Sequence, residues 1–184
     1  MVDKIFFFLS IPFFIPHYIL YLIFKTKYLY KDLKQWKAVF KFLPSNETFL
    51  FFNLIIRFKE FRTVFYYRIG GISRFLSWYA HGIPTCFIKT QKGAIDSGLV
   101  IQHGHSSRIG PRKAGKNLQV WQNVTIGKNH SGGESPVIGD NVKIMTGSLV
   151  FGSITIGDNV IIGGRLWFTK IFHQIVPLSA IQQE

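Results

Sequence analysis

The chain has 184 residues, a formal net charge of +13 and one cysteine, enough for one compact domain with an appendage. A lone cysteine excludes an intrachain disulfide and fits a reducing cytoplasm; without any nucleophile signature around it, Cys86 reads as a small buried hydrophobe. The charge favours an anionic partner, such as anionic lipid or a phosphate-bearing cofactor, and nucleic acid is set aside because no recognition motif or basic helix with base-stacking aromatics is present.

The two halves differ. Residues 1–80 hold most of the Phe and Tyr and carry 12 Lys+Arg against 4 Asp+Glu, whereas residues 81–184 carry 10 against 5. Ile5 to Phe24 is almost continuously apolar, long enough to cross a bilayer as a helix, and a lysine cluster from Lys25 to Lys37 would hold its C-terminal side in the cytoplasm. Pro12 and Pro16 oppose a regular spanning helix, and no small-residue cleavage site marks a signal peptide. Two readings stand: a membrane-embedded or interfacial anchor, and a helix buried in a soluble helical cap.

Leu33, Trp36, Val39 and Phe40 recur at helical spacing and predict a helix over 32–42, broken by Pro44-Ser45-Asn46. Ser45 or Asn46 can cap the next helix, whose apolar stripe runs from Phe49 to about Tyr79 with a kink at Gly70-Gly71. That stripe reads as core and oligomer contact. Ile83-Pro84-Thr85 is the expected turn into the second half.

From residue 114 onward, aliphatic residues recur at multiples of six: Val120, Ile126, Ile138, Ile144, Val150, Ile156 and Ile162, with Gly132 as the exception. A second column runs two residues ahead, through Leu118, Val124, Val142, Ser148, Ile154 and Val160. So short a period means that each repeat is one flat side of a coil, with coils stacked to bury both columns. Gly-Asp-Asn at 139–141 and 157–159 supplies corners. Residues 128–136 are polar and glycine-rich, so they should leave the coil as an exposed loop, where binding chemistry usually sits. Ile95 and Ile101 are out of phase and place an irregular first coil around Gln102-His103-Gly104-His105.

The stretch Gly98 to His103, the segment Val120 to Gly127, the Gly132-Gly133 loop, Pro136 to Val142 and the coils to Gly163 resemble the hexapeptide-repeat acyltransferases, and within them the serine acetyltransferase family. The resemblance implies an α+β chain, in which an N-terminal helical segment precedes a left-handed parallel β-helix, assembled as a homotrimer or higher. It implies transfer of acetyl from acetyl-coenzyme A to a small hydroxyl acceptor, with no metal. His103 falls on the family's catalytic histidine, where a neutral imidazole takes the hydroxyl proton as it attacks the thioester. His105 is a reserve candidate on the same side if the strand is regular, and His130 in the loop is a further candidate for substrate contact. Backbone N–H groups near Gly127 or Gly147 would meet the oxyanion. Coenzyme A is expected against Gly127, Gly147, Ser148 and Gly163, with Lys128 near a phosphate.

Three features depart from the family pattern. The residue before the histidine is Gln102 rather than aspartate, and the Arg-His pair after the loop reads Glu134-Ser135, which makes these three the expected acceptor-binding residues. The upstream aspartate that would orient the imidazole has no counterpart near Ile88, and Asp96 is too close in sequence. L-serine acetylation in cysteine biosynthesis is the first functional expectation. Acetylation of a sugar hydroxyl in surface-polysaccharide biosynthesis, at the cytoplasmic face of a membrane, is the second, and an inactive oligomeric scaffold the third.

Three regions follow: 1–82 helical, 83–163 solenoid, and 164–184 an atypical tail. After Gly163 the hexad pattern reads as lost, and the family's closing Gly-x-Pro-Ala-Lys/Arg segment is missing. Back-translation of Thr169 to Glu184 one base earlier permits K-D-I-P-S-N-C-T-V-V-G-N-P-A-R, the expected ending, so a frameshift near Gly163 or Gly164 is inferred, with an uncapped last coil and reduced activity as its consequence.

Overall fold

The computed structural model describes residues 2–24, 27–165 and 167–168. Residues up to Pro84 together with Ser97–Val100 form one compact unit, and Thr85–Asp96 with the chain from Ile101 onward forms the second. The tail from Thr169 to Glu184, whose back-translation carries the inferred frameshift, lies outside the described residues.

The first unit is helical: α1 (Val2–Ile23), α2 (Lys27–Val39), α3 (Glu47–Arg57), α4 (Lys59–Ile69), a 3-10 turn (Gly70–Ser73) and α5 (Arg74–Ser77). Its core is aromatic, with Tyr21, Trp36, Phe51, Phe61 and Phe65 fully buried and Tyr21 stacked on Phe51 at 4.7 Å between ring centroids. Helix α2 starts five residues before the expected Asp32, because Leu29 extends the buried stripe of Leu33 and Trp36 by one turn. Asn46 is the N-cap of α3, its Oδ1 accepting from Phe49 N at 3.1 Å.

The expected continuous stripe from Phe49 is interrupted. Phe58 is extended (φ −111°, ψ 104°) and separates α3 from α4. The buried Arg62 guanidinium occupies the break: Nη1 donates to Ile55 O at 2.7 Å and Ile56 O at 3.0 Å, and Nε to His81 O at 2.9 Å. An arginine capping the last carbonyls of α3 satisfies groups the helix end leaves open.

Helix α1 is half docked. His17 Nε2 lies 2.8 Å from Tyr66 Oη, Tyr18 Oη 2.9 Å from Thr48 Oγ1, and Tyr21 Oη donates to Glu47 Oε1 at 2.9 Å. Phe7, His17 and Tyr21 are buried, while Phe6, Leu9 and Phe13 on another face are exposed. The helix is long and apolar enough to cross a membrane, yet within this unit one face is fixed to its neighbours.

The second unit is a parallel β-solenoid. Its strands are β1 (Cys86–Ile88), β2 (Val100–Ile101), β3 (Ser107–Ile109), β4 (Lys113–Ala114), β5 (Gln119–Val120), β6 (Thr125–Gly127), β7 (Val137–Ile138), β8 (Lys143–Ile144), β9 (Leu149–Phe151), β10 (Thr155–Ile156), β11 (Ile161–Ile162) and β12 (Trp167–Phe168). They form three parallel sheets in the orders β1-β3-β6-β9-β12, β10-β7-β4 and β11-β8-β5-β2. Register stacks Ile109, Ile126 and Val150 in the first sheet, Ala114, Ile138 and Ile156 in the second, and Val120, Ile144 and Ile162 in the third. All nine are buried. Ile95 bridges Ala114 as the first rung of the second sheet, so the out-of-phase residues do enter the coil.

Corners carry their own ladder. Asn117, Asn141 and Asn159 each adopt φ near +60° (59°, 58° and 60°), and their side-chain amides chain together at 2.8 and 3.0 Å. Asp158 Oδ1 accepts from Asp140 N at 2.6 Å, and Asp140 Oδ1 from Lys116 N at 2.7 Å. This close approach explains the glycine before the aspartate: a Cβ on Gly139 would stand 2.3 Å from Asp158 Oδ1.

The hexad count runs further than the sequence pattern suggests. Phe168, six beyond Ile162, pairs with Val150, and Trp167 with Leu149, so β12 opens another coil where the pattern reads as lost.

Candidate active site

His103 follows β2 at the corner that joins the third sheet to the first. It is exposed, and its backbone is left-handed (φ 60°), as is that of Ser106 (φ 54°). The strand therefore ends at Ile101, and the regular alternation on which His105 was to share a side with His103 does not apply. The turn is held on its backbone: Gln102 N donates to Val120 O at 2.8 Å, His105 N to His103 O, and Asn123 N to His105 O at 2.8 Å. Ser107 Oγ, buried below, lies 3.3 Å from His105 O and 3.2 Å from Trp121 O, and Thr85 Oγ1 accepts from Ser106 N at 3.1 Å. Among the described residues no hydrogen bond reaches the His103 imidazole. Asp96 instead joins its backbone N–H to Ala114 O at 2.9 Å in another sheet.

The same corner recurs in every coil. Gly147 N donates to Gln122 O at 3.1 Å and Arg165 N to Thr146 O at 2.9 Å, so the turns around His103, Gln122, Thr146 and Gly164 lie one over another. Gly147 and Gly163 thus share the His103 edge. The Gly147 N–H, expected as an oxyanion donor, is committed to Gln122 O. Ser148 is fully buried, with its hydroxyl donating to Gly163 O at 2.7 Å and lying 2.9 Å from Met145 O; the side chain closes the corner and does not face a ligand. One buried acceptor, Gln122 Oε1, has no hydrogen-bond partner among the described residues. It sits in the turn stacked on His103, a position the sequence analysis did not single out; a glutamine in a coil corner carries no pattern that marks it.

The polar excursion 128–136 leaves the solenoid at a different corner, between the first sheet and the second. Lys128 and His130 are exposed, and His130 Nδ1 is 3.0 Å from Ser131 O. Arg112 pairs with Glu134 at 2.7 Å, both half exposed, and Ser153 Oγ donates to the same carboxylate oxygen at 3.2 Å. Ser135 is half-buried in the same loop. Within one chain, His103, Gln102, Gly147 and Gly163 therefore occupy one edge, and Gly127, Lys128, Glu134 and Ser135 another, with the first sheet between. Among the described residues no group of three or more His, Cys, Asp or Glu could hold a metal ion.

In the helical unit, a second arrangement escaped the sequence reading. Asp32, buried, pairs with Arg68 (Oδ2 to Nε 2.7 Å) and accepts from Gly98 N at 2.6 Å and Leu99 N at 2.8 Å; Trp36 Nε1 donates to Leu99 O at 3.0 Å. These bonds fix the segment from which the chain runs on to Gln102 and His103. Burial pushes the Asp32 carboxyl upward, against the pull of Arg68 and the two amides. A signal was available: Asp32 falls on the buried stripe of Leu29, Leu33 and Trp36.

Helices precede a parallel, hexapeptide-period β-solenoid in this chain, as the resemblance to the hexapeptide-repeat acyltransferases implies. The particular likeness is to serine acetyltransferases. The chain is 42% identical over 73 residues to that of Staphylococcus xylosus (39% of this chain, 32% of the relative), and 41% identical over 101 residues to that of Staphylococcus aureus (53% and 43%). Native serine acetyltransferase 1 from Entamoeba histolytica superposes with a TM-score of 0.57 at 25% identity, covering 77% of this chain and 57% of that one. Isoform 3 from the same organism, in complex with cysteine, gives 0.56 at 27%, covering 85% and 60%. The chain spans less than half the length of these curated relatives. No family model matches it.

Proposed function

We propose that the chain is an acetyl-coenzyme A-dependent O-acetyltransferase of serine acetyltransferase type, with His103 as general base and L-serine as acceptor. The observation that carries this reading is an exposed imidazole on a backbone-locked turn of the solenoid, within the stretch that resembles the serine acetyltransferase family. His103 removes the acceptor proton as the oxygen attacks the thioester carbon; the C–S bond then breaks and the imidazolium returns that proton to the departing sulfur, so that coenzyme A leaves as the thiol with no covalent enzyme intermediate. Coenzyme A is read along the Gly147–Gly163 edge, with Lys128 offered to a phosphate.

Because the His103 edge and the excursion lie on different corners of one solenoid, the acting unit is read as a homotrimer or higher, in which a neighbouring copy brings its loop to the histidine. The cytoplasm is the compartment that the single cysteine fits.

A second reading is favoured by Glu134. The resemblance sets Glu134-Ser135 in place of the family's Arg-His pair, which serves an amino acid's carboxylate and amine; the Glu134 carboxylate is paired with Arg112, and a sugar hydroxyl would suit that loop better. Thiol release from acetyl-coenzyme A, measured with L-serine and with a panel of sugars, tests both. Serine turnover supports the first reading and sugar turnover the second, while silence with every acceptor from intact oligomers rejects both in favour of a scaffold. His103→Ala should lower turnover by about two to four orders of magnitude with assembly unchanged; a retained rate removes His103 as the base.

A further inference from the structure

We propose that the free face of α1 docks onto an anionic phospholipid bilayer, the helix lying in the plane of the interface. Phe6, Leu9 and Phe13, spaced i, i+3 and i+7, are each about two-thirds exposed or more (71%, 67% and 70%). The patch continues into α5 and the turn after it: Tyr79 Oη donates to Phe13 O at 2.9 Å, and close to it in sequence Phe75 and Trp78 are 82% and 87% exposed. Contiguous large hydrophobes with an exposed tryptophan are costly in water and mark an interaction surface. Tryptophan and phenylalanine at such a rim suit the headgroup boundary of a membrane.

Charge selects the occupant. Lys31, Lys34, Lys41, Arg57 and Lys59 are exposed in the same unit. Of the described carboxylates there, Asp32 is buried against Arg68, and Glu47 and Glu60 are half-buried. A unit with exposed cations and no fully exposed described carboxylate complements anionic lipid, each cation that comes near the bilayer surface adding about 1 kcal/mol. A second copy would instead bring up another helical region whose residues 1–80 carry 12 Lys+Arg against 4 Asp+Glu, and like charge opposes it.

The helix lies on the bilayer rather than through it. His17, Tyr18 and Tyr21 are hydrogen-bonded to α3 and α4 on the opposite face, and spanning would strip those bonds. Pro12 and Pro16 also deprive the carbonyls of Phe8 and Pro12 of their i+4 donors. Water at the interface can satisfy them, whereas the hydrocarbon core cannot.

The test is co-sedimentation of the full-length protein with phosphatidylcholine vesicles, with and without about one-third phosphatidylglycerol. The wild type should bind the anionic vesicles, less so the neutral ones and less again at high salt, with a blue shift in emission that Trp78→Phe removes. Leu9→Ser with Phe13→Ser should lower the partition coefficient by at least about tenfold while leaving the thermal unfolding curve unchanged, since both side chains are solvent-facing. Wild type that stays in the supernatant, or a double variant that binds equally well, overturns the proposal. So does a wild-type oligomer that ignores vesicles and that the double variant dissociates, which would assign the face to a second copy. None of these outcomes depends on acetyl transfer.

Discussion

Replacing Asp32 by alanine removes one carboxylate that serves three partners. Both oxygens bind Arg68, at 2.7 Å to Nε and 3.1 Å to Nη2, and Oδ1 also receives the N–H groups of Gly98 and Leu99. The side chains are 0% and 5% exposed, so water cannot take the vacated positions without a breach of the core. Breaking a buried pair from one side costs about 3–5 kcal/mol, and each orphaned amide about 1–3 kcal/mol. The terms overlap, and we expect a loss of about 5 kcal/mol, against a total stability of about 5–15 kcal/mol for a domain. Asp32→Asn, which keeps an acceptor for the amides but sets an NH2 group towards Arg68, should lose about half as much. Urea unfolding followed by far-ultraviolet circular dichroism measures both, and hydrogen exchange at Gly98 and Leu99 should accelerate selectively. Removing Arg68 as well should restore part of the loss but leave the exchange fast, since the amides still lack their acceptor. An Asp32→Ala variant within about 1 kcal/mol of wild type, or one with protected Gly98 and Leu99 amides, refutes the reasoning.

Two further substitutions and a pH dependence test other parts of the fold. Gly139→Ala places its Cβ 2.3 Å from Asp158 Oδ1 and 2.8 Å from the Gly157 carbonyl carbon, whereas a Cβ on Gly157 meets nothing within 4 Å; thermal unfolding should show a cost of about 1–3 kcal/mol for the first and less than about 0.5 kcal/mol for the second. Burial, with the positive Arg62 nearby, lowers the His17 pKa from 6.5 to about 4. The unfolded chain therefore takes up a proton on this side chain between those values while the folded chain does not. The contribution is complete above pH 6.5 and is lost as the pH falls towards 4, by up to about 3 kcal/mol. Urea midpoints between pH 4 and 8 should show this slope, and His17→Asn should flatten it; an unchanged slope in the variant would assign the dependence elsewhere.

The solenoid was legible because its physics is one-dimensional. A column of aliphatic side chains at every sixth residue has few other ways to be buried, and the one interval that breaks it, 128–136, is the loop that leaves the coil. The helical unit was legible only in part. Periodicity finds the stripe of α3 and α4 but not the break at Phe58, which depends on Arg62 reaching back to Ile55 O and Ile56 O. Composition marked α1 as apolar but could not divide it into the face that carries His17 and Tyr21 and the face that carries Leu9 and Phe13, since both are rich in hydrophobic residues.

The site residues divide on a different principle. A motif position locates a residue at a coil corner, but the hydrogen bonds already made there decide what it still has to offer. Ser148 spends its hydroxyl on Gly163 O and Met145 O, the Gly147 N–H is taken by Gln122 O, and Glu134 is held by Arg112 and Ser153. Among the described residues His103 and Lys128 are exposed with no side-chain hydrogen-bond partner, and Gln122 Oε1 is buried and unmatched. Those three side chains have capacity left for a ligand. Substitutions at His103, Lys128 and Gln122 should therefore alter catalysis or binding before stability, whereas Ser148→Ala should lower stability first.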